Sequence, residues 1–592
     1  MKKIVLILLP LMLLAIAKPV EAQAARGYYD LVELSYVINA DRTVNAVENY
    51  VIVNTSAIWV ITSTPIKPIP SLDVNSISAW DSAGSLTYIT EQIGGQTKIT
   101  VNFRNPVGKD QSYAFGISYV AGGLVSGSGS KYACGLGGIT LGPNVFSYNR
   151  YIVRIHGPSG SRLFTTDPTA EVVAADPPTV RYATQVSALG SFDGLSAVFY
   201  TSPTYYKVTF TERIFNDGSE ASRNITFDAT MFAYSQWQFA AFAGANLPLK
   251  AMYVDEENNW HGVFDVGDLQ PGQSKSLNIE LIYIENIYTP DISKDDVGTI
   301  ADVPAGLSPY TEAREYWEVN NPNIEQRAGQ IVGTETNAYE VARLIVEYVS
   351  DYVTYKVTPQ RKGALLTLSS GWGDCDCFSD LAIALSRAVG LPARMDLGWG
   401  YQENLVGHAW VEFYLPGKGW QPADPTWAKT SGDYLFKLDP IRILRYVRGI
   451  SSSDSASKYT WYDAQPTVGD ENENIVSLTK SEAAQALVQA GESTIDVASD
   501  LLVSHPDEAL NQELNLARAK FEQAHRQVAS DENAILLAQE AVDHANVVIK
   551  ALGEPPEAGP IFPINLLYLT LILAVIIPIV GVAAIWMHKR RV

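Results

Sequence analysis

From about Arg26 to Thr289 apolar and polar residues alternate: Ile99, Val101 and Phe103; Tyr113, Phe115, Ile117 and Tyr119; Tyr206, Val208 and Phe210; Leu277, Ile279 and Leu281. A period of two turns one face of an extended chain onto a core, and turn signals such as Asn216-Asp217-Gly218 and Pro271-Gly272 separate antiparallel strands. The stretch exceeds one ordinary sandwich, and Asp176-Pro177-Pro178 interrupts it. Two β-sandwich domains are therefore predicted, over 25–175 and 176–295, with a single long barrel as the other arrangement the pattern allows.

The period then lengthens. Val341, Leu344, Ile345 and Tyr348 form one stripe of a helix over Asn337–Val353, and Phe378, Leu381, Ala382, Leu385, Ala388 and Val389 form another that begins after Asp374 and stops at Gly390 and Pro392. Strand-like stretches follow at Arg394–Gly400 and at His408–Tyr414, where Ala409, Val411 and Phe413 alternate with polar or larger residues. Helices before strands predict an α+β domain over 310–450. The Ser-, Asp- and Asn-rich residues 451–475 are expected to be a linker. Three Ala-rich helical patterns over 476–553 predict a helical bundle or coiled-coil stalk that offers a seam for oligomerisation, and a Pro-rich collar follows at 554–565.

The two ends suggest a compartment. Residues 1–24 have the charged, apolar and small-residue order of a signal peptide. Leu566–Met587 carries no charge and, at about 1.5 Å per residue, is long enough to cross a hydrocarbon core of about 30 Å. The basic cluster in 588–592 then predicts a cytoplasmic tail, and with it a single-pass cell-membrane protein whose ectodomain lies outside the cell. The triplets Asn54-Thr55-Ser56 and Asn224-Ile225-Thr226 are glycosylation sequons compatible with that exterior. A net charge of −21 disfavours nucleic acid as a partner. With 3 cysteines there is no disulfide framework, and the odd number leaves at least one sulfur unpaired within the chain.

That turns attention to thiol chemistry. Cys375 opens the second helix, where the dipole and unpaired N–H groups favour a thiolate. His408 follows at the start of a strand and Asp424 after it, so nucleophile, proton carrier and orienting carboxylate are available in the order of an acyl-transfer triad. Three blocks carry these residues: Gly373-Asp374-Cys375 running on to Gly390-Leu391-Pro392-Ala393-Arg394, Gly407-His408-Ala409-Trp410-Val411-Glu412, and Gly419-Trp420-Gln421-Pro422-Ala423-Asp424-Pro425-Thr426. In that order, over about Asn337–Trp427, they resemble the transglutaminase-like superfamily of papain-like thiol enzymes. The resemblance implies a cysteine-bearing helix on an antiparallel sheet, with Cys375 as nucleophile, His408 as general base and acid, and Asp424 as the orienting carboxylate.

Cys377 stands where such proteins often carry a carboxylate. Three readings are open for it: a spectator, which is favoured, a disulfide partner of Cys134, or a redox regulator of Cys375. No calcium-loop signature is present, and a zinc site from Cys375, Cys377 and His408 would lack a second ligand pair, so no metal or other cofactor is expected. The backbone N–H of Cys375 and the Trp372 indole are oxyanion candidates, and Trp399 and Trp410 are candidates to line a cleft. Two functions follow. One is a cell-surface cysteine peptidase or acyltransferase acting on amide bonds of extracellular polypeptides through a thioester, with hydrolysis favoured over cross-linking. The other is a silent adhesion or surface-layer anchoring protein in which the thiol domain only binds.

Overall fold

The computed structural model describes residues 27–555, except 67, 128–129, 138–144, 176, 186–193, 402–404, 429–433, 452–456, 470–471 and 530. The expected signal peptide (1–24), the collar beyond 555, the membrane span (566–587) and the tail (588–592) lie outside the described residues. Among the described residues no helix is long and apolar enough to cross a membrane.

The chain forms two compact units that divide between Thr201 and Ser202. The first is an all-β unit. Its eight-stranded sheet has Gly27–Ile38 at the centre, paired parallel with Val145–His156 and antiparallel with Val44–Asn54, and two four-stranded sheets complete it. The alternation read from sequence supplies its core, with Ile52, Ile99, Val101, Ile117, Val153 and Phe199 buried. The domain boundary expected at 175/176 is not one. Glu171–Ala175 pairs with Pro178–Gln185, and that strand pairs with Val145–His156, so the strands on either side of 175/176 belong to one sheet. The Asn54 sequon is also corrected: Asn54 is buried, and its amide nitrogen donates to the carbonyls of Trp59 and Val107, which leaves no amide for a glycan. Asn224, in the second unit, is exposed.

The second unit begins with a sandwich of two sheets. Thr204–Phe215, Gln238–Ala245 and Ser274–Glu285 belong to one, and Ser222–Ala233, Leu249–Val254 and Asn259–Leu269 to the other. Each sheet is finished by chain from the far side of the thiol domain. Ser457–Asp463 pairs with Ser222–Ala233, and Asn472–Leu478 pairs with Thr204–Phe215. The expected linker over 451–475 is thus corrected to strands that cover two edges. Edge strands carry exposed polar residues on alternate positions, which is why their composition imitates a linker. In sequence terms, the α+β domain is inserted into this sandwich.

The Ala-rich segment forms three helices, α5 (Lys480–Ser504), α6 (Glu508–Arg526) and α7 (Asp531–Leu552). Thr479 opens α5 with a capping box closed by Glu482. They are not a free stalk. Ala483, Ala484 and Leu487 of α5 are buried with Ala241, Ala243 and Ile282 of the sandwich, and Val548 and Ile549 of α7 are buried with Phe264 and Met252. Small residues let helices approach closely, and here the seam is used within the chain.

The inserted domain has four helices, α1 (Pro322–Val332), α2 (Ala338–Tyr352), α3 (Ala364–Ser370) and α4 (Cys375–Ala388), and a four-stranded antiparallel sheet. In strand order the sheet runs Gly419–Ala423, Leu405–Leu415, Ala393–Tyr401, Arg442–Arg448. Helix α4 is the core of the domain: Leu381, Ala382, Ile383, Ala384 and Leu385 are fully buried with Val341, Ile345, Val411 and Phe413. A buried ion pair fixes it, with Asp380 accepting from Arg361 and from the Trp317 indole at 2.9 Å.

Candidate active site

Cys375 is the first residue of α4, and its approach is set by a glycine. A Cβ on Gly373 would stand 2.2 Å from the Cβ of Cys377, so only glycine lets the chain turn into the helix over that residue. Asp374 takes the N-cap position but does not cap: its Oδ2 accepts from the backbone N–H (2.9 Å) and the hydroxyl (2.6 Å) of Thr358. The start of α4 is therefore not closed by its own N-cap side chain.

His408 lies on Leu405–Leu415, and Ala409, the next residue, donates its backbone N–H to the sulfur of Cys375. The imidazole Nε2 is 2.7 Å from Oδ2 of Asp424. Asp424 is fully buried, and its Oδ1 accepts from the backbone N–H groups of Thr426 (3.0 Å) and Trp427 (3.2 Å). Its Oδ2 also accepts from Nε of Arg442 at 2.9 Å, and Nη2 lies 2.9 Å from the same oxygen. Burial pushes the Asp424 carboxyl up, but His408 and Arg442 outweigh it and hold the group below the usual carboxylate range. An ionised Asp424 accepts, so the hydrogen of this contact belongs to Nε2.

Cys375 and His408 open on a cleft of about 370 Å³ that is also lined by Asp374, Asp376, Gly398, Trp399, Arg445 and Glu473. The thiol differs from the expected thiolate. Burial, with the charges of Asp376, Asp374 and Asp424 added, pushes Cys375 up to about 12, so the helix terminus does not by itself leave a free thiolate. Asp376, itself raised by burial, faces His408 from the first turn of α4.

The three tryptophans are placed differently. Trp399 lines the cleft, but its indole N–H donates to Glu473, which makes it a wall held from outside the domain. Trp410 is fully buried under the imidazole, with ring centres 5.8 Å apart. Trp372 is not among the lining residues; its ring carries the ammonium groups of Lys356 and Lys362, 4.3 and 3.5 Å from the centroid. Cys377 is buried, in no disulfide, and hydrogen-bonded to Thr367 and Asp374, and Cys134 is a buried thiol of the other unit that is likewise in no disulfide. Among the described residues no group of three or more His, Cys, Asp or Glu side chains is arranged to hold a metal ion.

Residues 325–425 match the Transglutaminase-like superfamily. The matched segment contains Cys375, His408 and Asp424. The chain is 21% identical over 222 residues to the uncharacterized protein YebA of Bacillus subtilis (strain 168), covering 33% of this chain and 29% of that protein. It is 31% identical over 104 residues, 15% of either chain, to a protein-glutamine gamma-glutamyltransferase of Pseudomonas aeruginosa. The chain thus spans under a third of the length of these curated relatives. A crystal structure described as a candidate cysteine protease of Cytophaga hutchinsonii aligns over 47% of this chain and 92% of its own, at 16% identity and a TM-score of 0.36.

Sequence reasoning missed the residues that surround the triad from elsewhere. Arg442 and Arg445 lie on Arg442–Arg448, whose run of apolar residues and arginines is legible as a strand, and Glu473 lies in the segment expected to be a linker. Arg445 pairs with Glu473 at 3.4 Å, and its guanidinium lies over the ring of Phe210 in the sandwich. The wall of the transglutaminase-like cleft is therefore built partly by the domain that encloses it in sequence.

Proposed function

We propose that this protein is a thiol enzyme that acts on amide bonds of extracellular polypeptides through a thioester on Cys375. The observation that carries this reading is the His408–Asp424 contact of 2.7 Å beside a cleft shared by Cys375 and His408. Asp424 keeps the hydrogen on Nε2, and Nδ1 is the base. The thiol proton passes to Nδ1 as Sγ attacks the substrate carbonyl carbon, and the oxyanion accepts from N–H groups at the uncapped start of α4. Collapse of the tetrahedral species breaks the C–N bond, and His408 returns the proton to the departing amine. Water, deprotonated by the same imidazole, then attacks the thioester and releases a carboxylic acid and the thiol.

Since Cys375 rests as a neutral thiol, proton transfer accompanies attack, and His408 is needed for it. Hydrolysis is favoured because water is always present outside a cell and cross-linking needs a second, amine-admitting approach. Similarity to a protein-glutamine gamma-glutamyltransferase supports a second reading in which a lysine amine takes the acyl group. The apolar run 566–587 supports a protein held in a membrane with its folded units outside, next to polypeptide substrates. The test is incubation of the purified protein with a mixture of surface polypeptides, followed by mass spectrometry. New chain ends that vanish with Cys375→Ala support hydrolysis, Gln–Lys isopeptides support transfer, and neither product overturns the reading.

A further inference from the structure

The buried side of the triad continues beyond Asp424. Arg442 is fully buried, and its guanidinium lies between the rings of Trp427 and Tyr434, 4.3 and 4.2 Å from their centroids. On one side Nε and Nη2 meet Oδ2 of Asp424; on the other, Nη1 is 2.7 Å from Oδ2 of Asp439. Asp439 is buried as well and accepts the hydroxyl of Tyr434 at 2.6 Å. Behind His408, which faces the cleft, Asp424, Arg442 and Asp439 thus form a buried line of alternating charge.

We propose that Arg442 and Asp439 are positioning residues of the reaction, which together set the charge felt by His408 through Asp424. The inference rests on the triad reading above. With His408 neutral, the line carries two carboxylates against one guanidinium, so it holds one surplus negative charge. When His408 takes the thiol proton, imidazolium balances that charge. The line is therefore preorganised for the thiolate–imidazolium state that attack on a carbonyl requires, and it offsets the carboxylates that disfavour the thiolate.

The two members act in opposite directions. Without Arg442, Asp424 is a buried carboxylate with only His408 to balance it; the pair takes up a proton at higher pH, and the imidazole loses its orienting partner. Without the Asp439 charge, Arg442 is uncompensated, the imidazolium is disfavoured and the pair takes up its proton at lower pH. The other charged or titratable groups that face the pair are Cys375 and Asp376 from α4 and the Tyr434 hydroxyl, with Arg361 and Arg448 acting on Asp376.

The test is the rate at which iodoacetamide alkylates Cys375 between pH 4 and 10, read by peptide mapping of the full chain. The wild type, Arg442→Gln, Arg442→Lys, Asp439→Asn and His408→Ala are compared. The acid limb of Arg442→Gln is expected to move up by about one pH unit or more and that of Asp439→Asn to move down, while Arg442→Lys recovers at least half of the first shift because the charge returns without the planar fork. Limbs that coincide with wild type in folded Arg442→Gln and Asp439→Asn, or that move together in one direction, overturn the proposal. If Arg442→Gln does not fold, Asp439→Asn decides it, since only a downward move supports the charge argument. Failure of the triad reading looks different: the wild-type profile would then match that of His408→Ala.

Discussion

Gln238 grips Leu444 at both of its backbone groups. Its Nε2 donates to the Leu444 carbonyl at 2.7 Å, and its Oε1 accepts the Leu444 N–H at 2.6 Å. Asn259 does the same for Val447, at 2.9 and 2.7 Å. Both amides come from the sandwich, and both close the outer edge of Arg442–Arg448, the strand that delivers Arg442 and Arg445 to the site. Two side-chain amides thus replace a missing neighbour strand.

Replacing Gln238 with leucine would leave two buried backbone groups without partners. At about 1–3 kcal/mol each, the loss should total roughly 2–6 kcal/mol, read as a lower urea midpoint. Alkylation of Cys375 should slow as well, because the strand behind the triad is no longer held in register.

Cys375→Ala should abolish turnover while leaving the melting temperature within about 2 °C of wild type, since Cys375 sits at the partly exposed margin of the core and its sulfur accepts one hydrogen bond. Circular dichroism melts beside the mass-spectrometric assay check this. A collapse of the fold would instead make Cys375 structural.

Asp424→Asn should reduce turnover about a thousandfold or more by removing the acceptor that fixes the Nε2–H tautomer. It should also destabilise the domain by about 3–5 kcal/mol, because Arg442 loses one of its two buried carboxylates. Stopped assays and urea melts on the same sample separate the two effects.

Residues 310–450 expressed alone should be insoluble or fail to melt cooperatively. Trp399 and Ile443 share a core with Tyr283 and Phe264 of the sandwich, and Leu444 and Val447 would lose their amide partners. A chain ending at 450 should fail as well, because Thr204–Phe215 and Ser222–Ala233 would lose the strands that cover their edges. Soluble, cooperatively melting material from either would show that the enclosing sandwich is dispensable.

Glu212 lies in the sandwich near Arg445 and Glu473. Burial, with Glu473 adding to it and Arg445 opposing, pushes its carboxyl up to about 7. The folded chain therefore holds a proton here that the unfolded chain releases near the ordinary carboxylate value of 4.5, and stability from this group is lost as pH rises between those values. Glu212→Gln should raise the melting temperature by roughly 2–4 °C at pH 8 and leave it nearly unchanged at pH 4. An equal gain at both pH values would show that the charge is not responsible.

Much of this protein is legible from local pattern. Period-two alternation marks strands because one side of each must be buried, as Ile99, Val101 and Phe103 show. The helical stripe from Phe378 to Leu385 is read correctly, and the order of Cys375, His408 and Asp424 points to the proposed triad because each chemical role needs its own residue type. Polar edge strands are less legible: Ser457–Asp463 and Asn472–Leu478 expose every other side chain and look like a tether until a partner sheet is known.

Local pattern along the chain marks most of the strands and helices and the three residues of the proposed chemistry, since periodicity and reactivity are local properties. Only the tertiary structure decided the rest. It closed the sandwich with chain from beyond the inserted domain, turned an apparent stalk into a packed layer, and raised the Cys375 thiol by burying it among carboxylates. It also brought Arg442 and Asp439 behind Asp424. Burial and charge pairing depend on distances between residues far apart in the chain, and no spacing in the sequence encodes those distances.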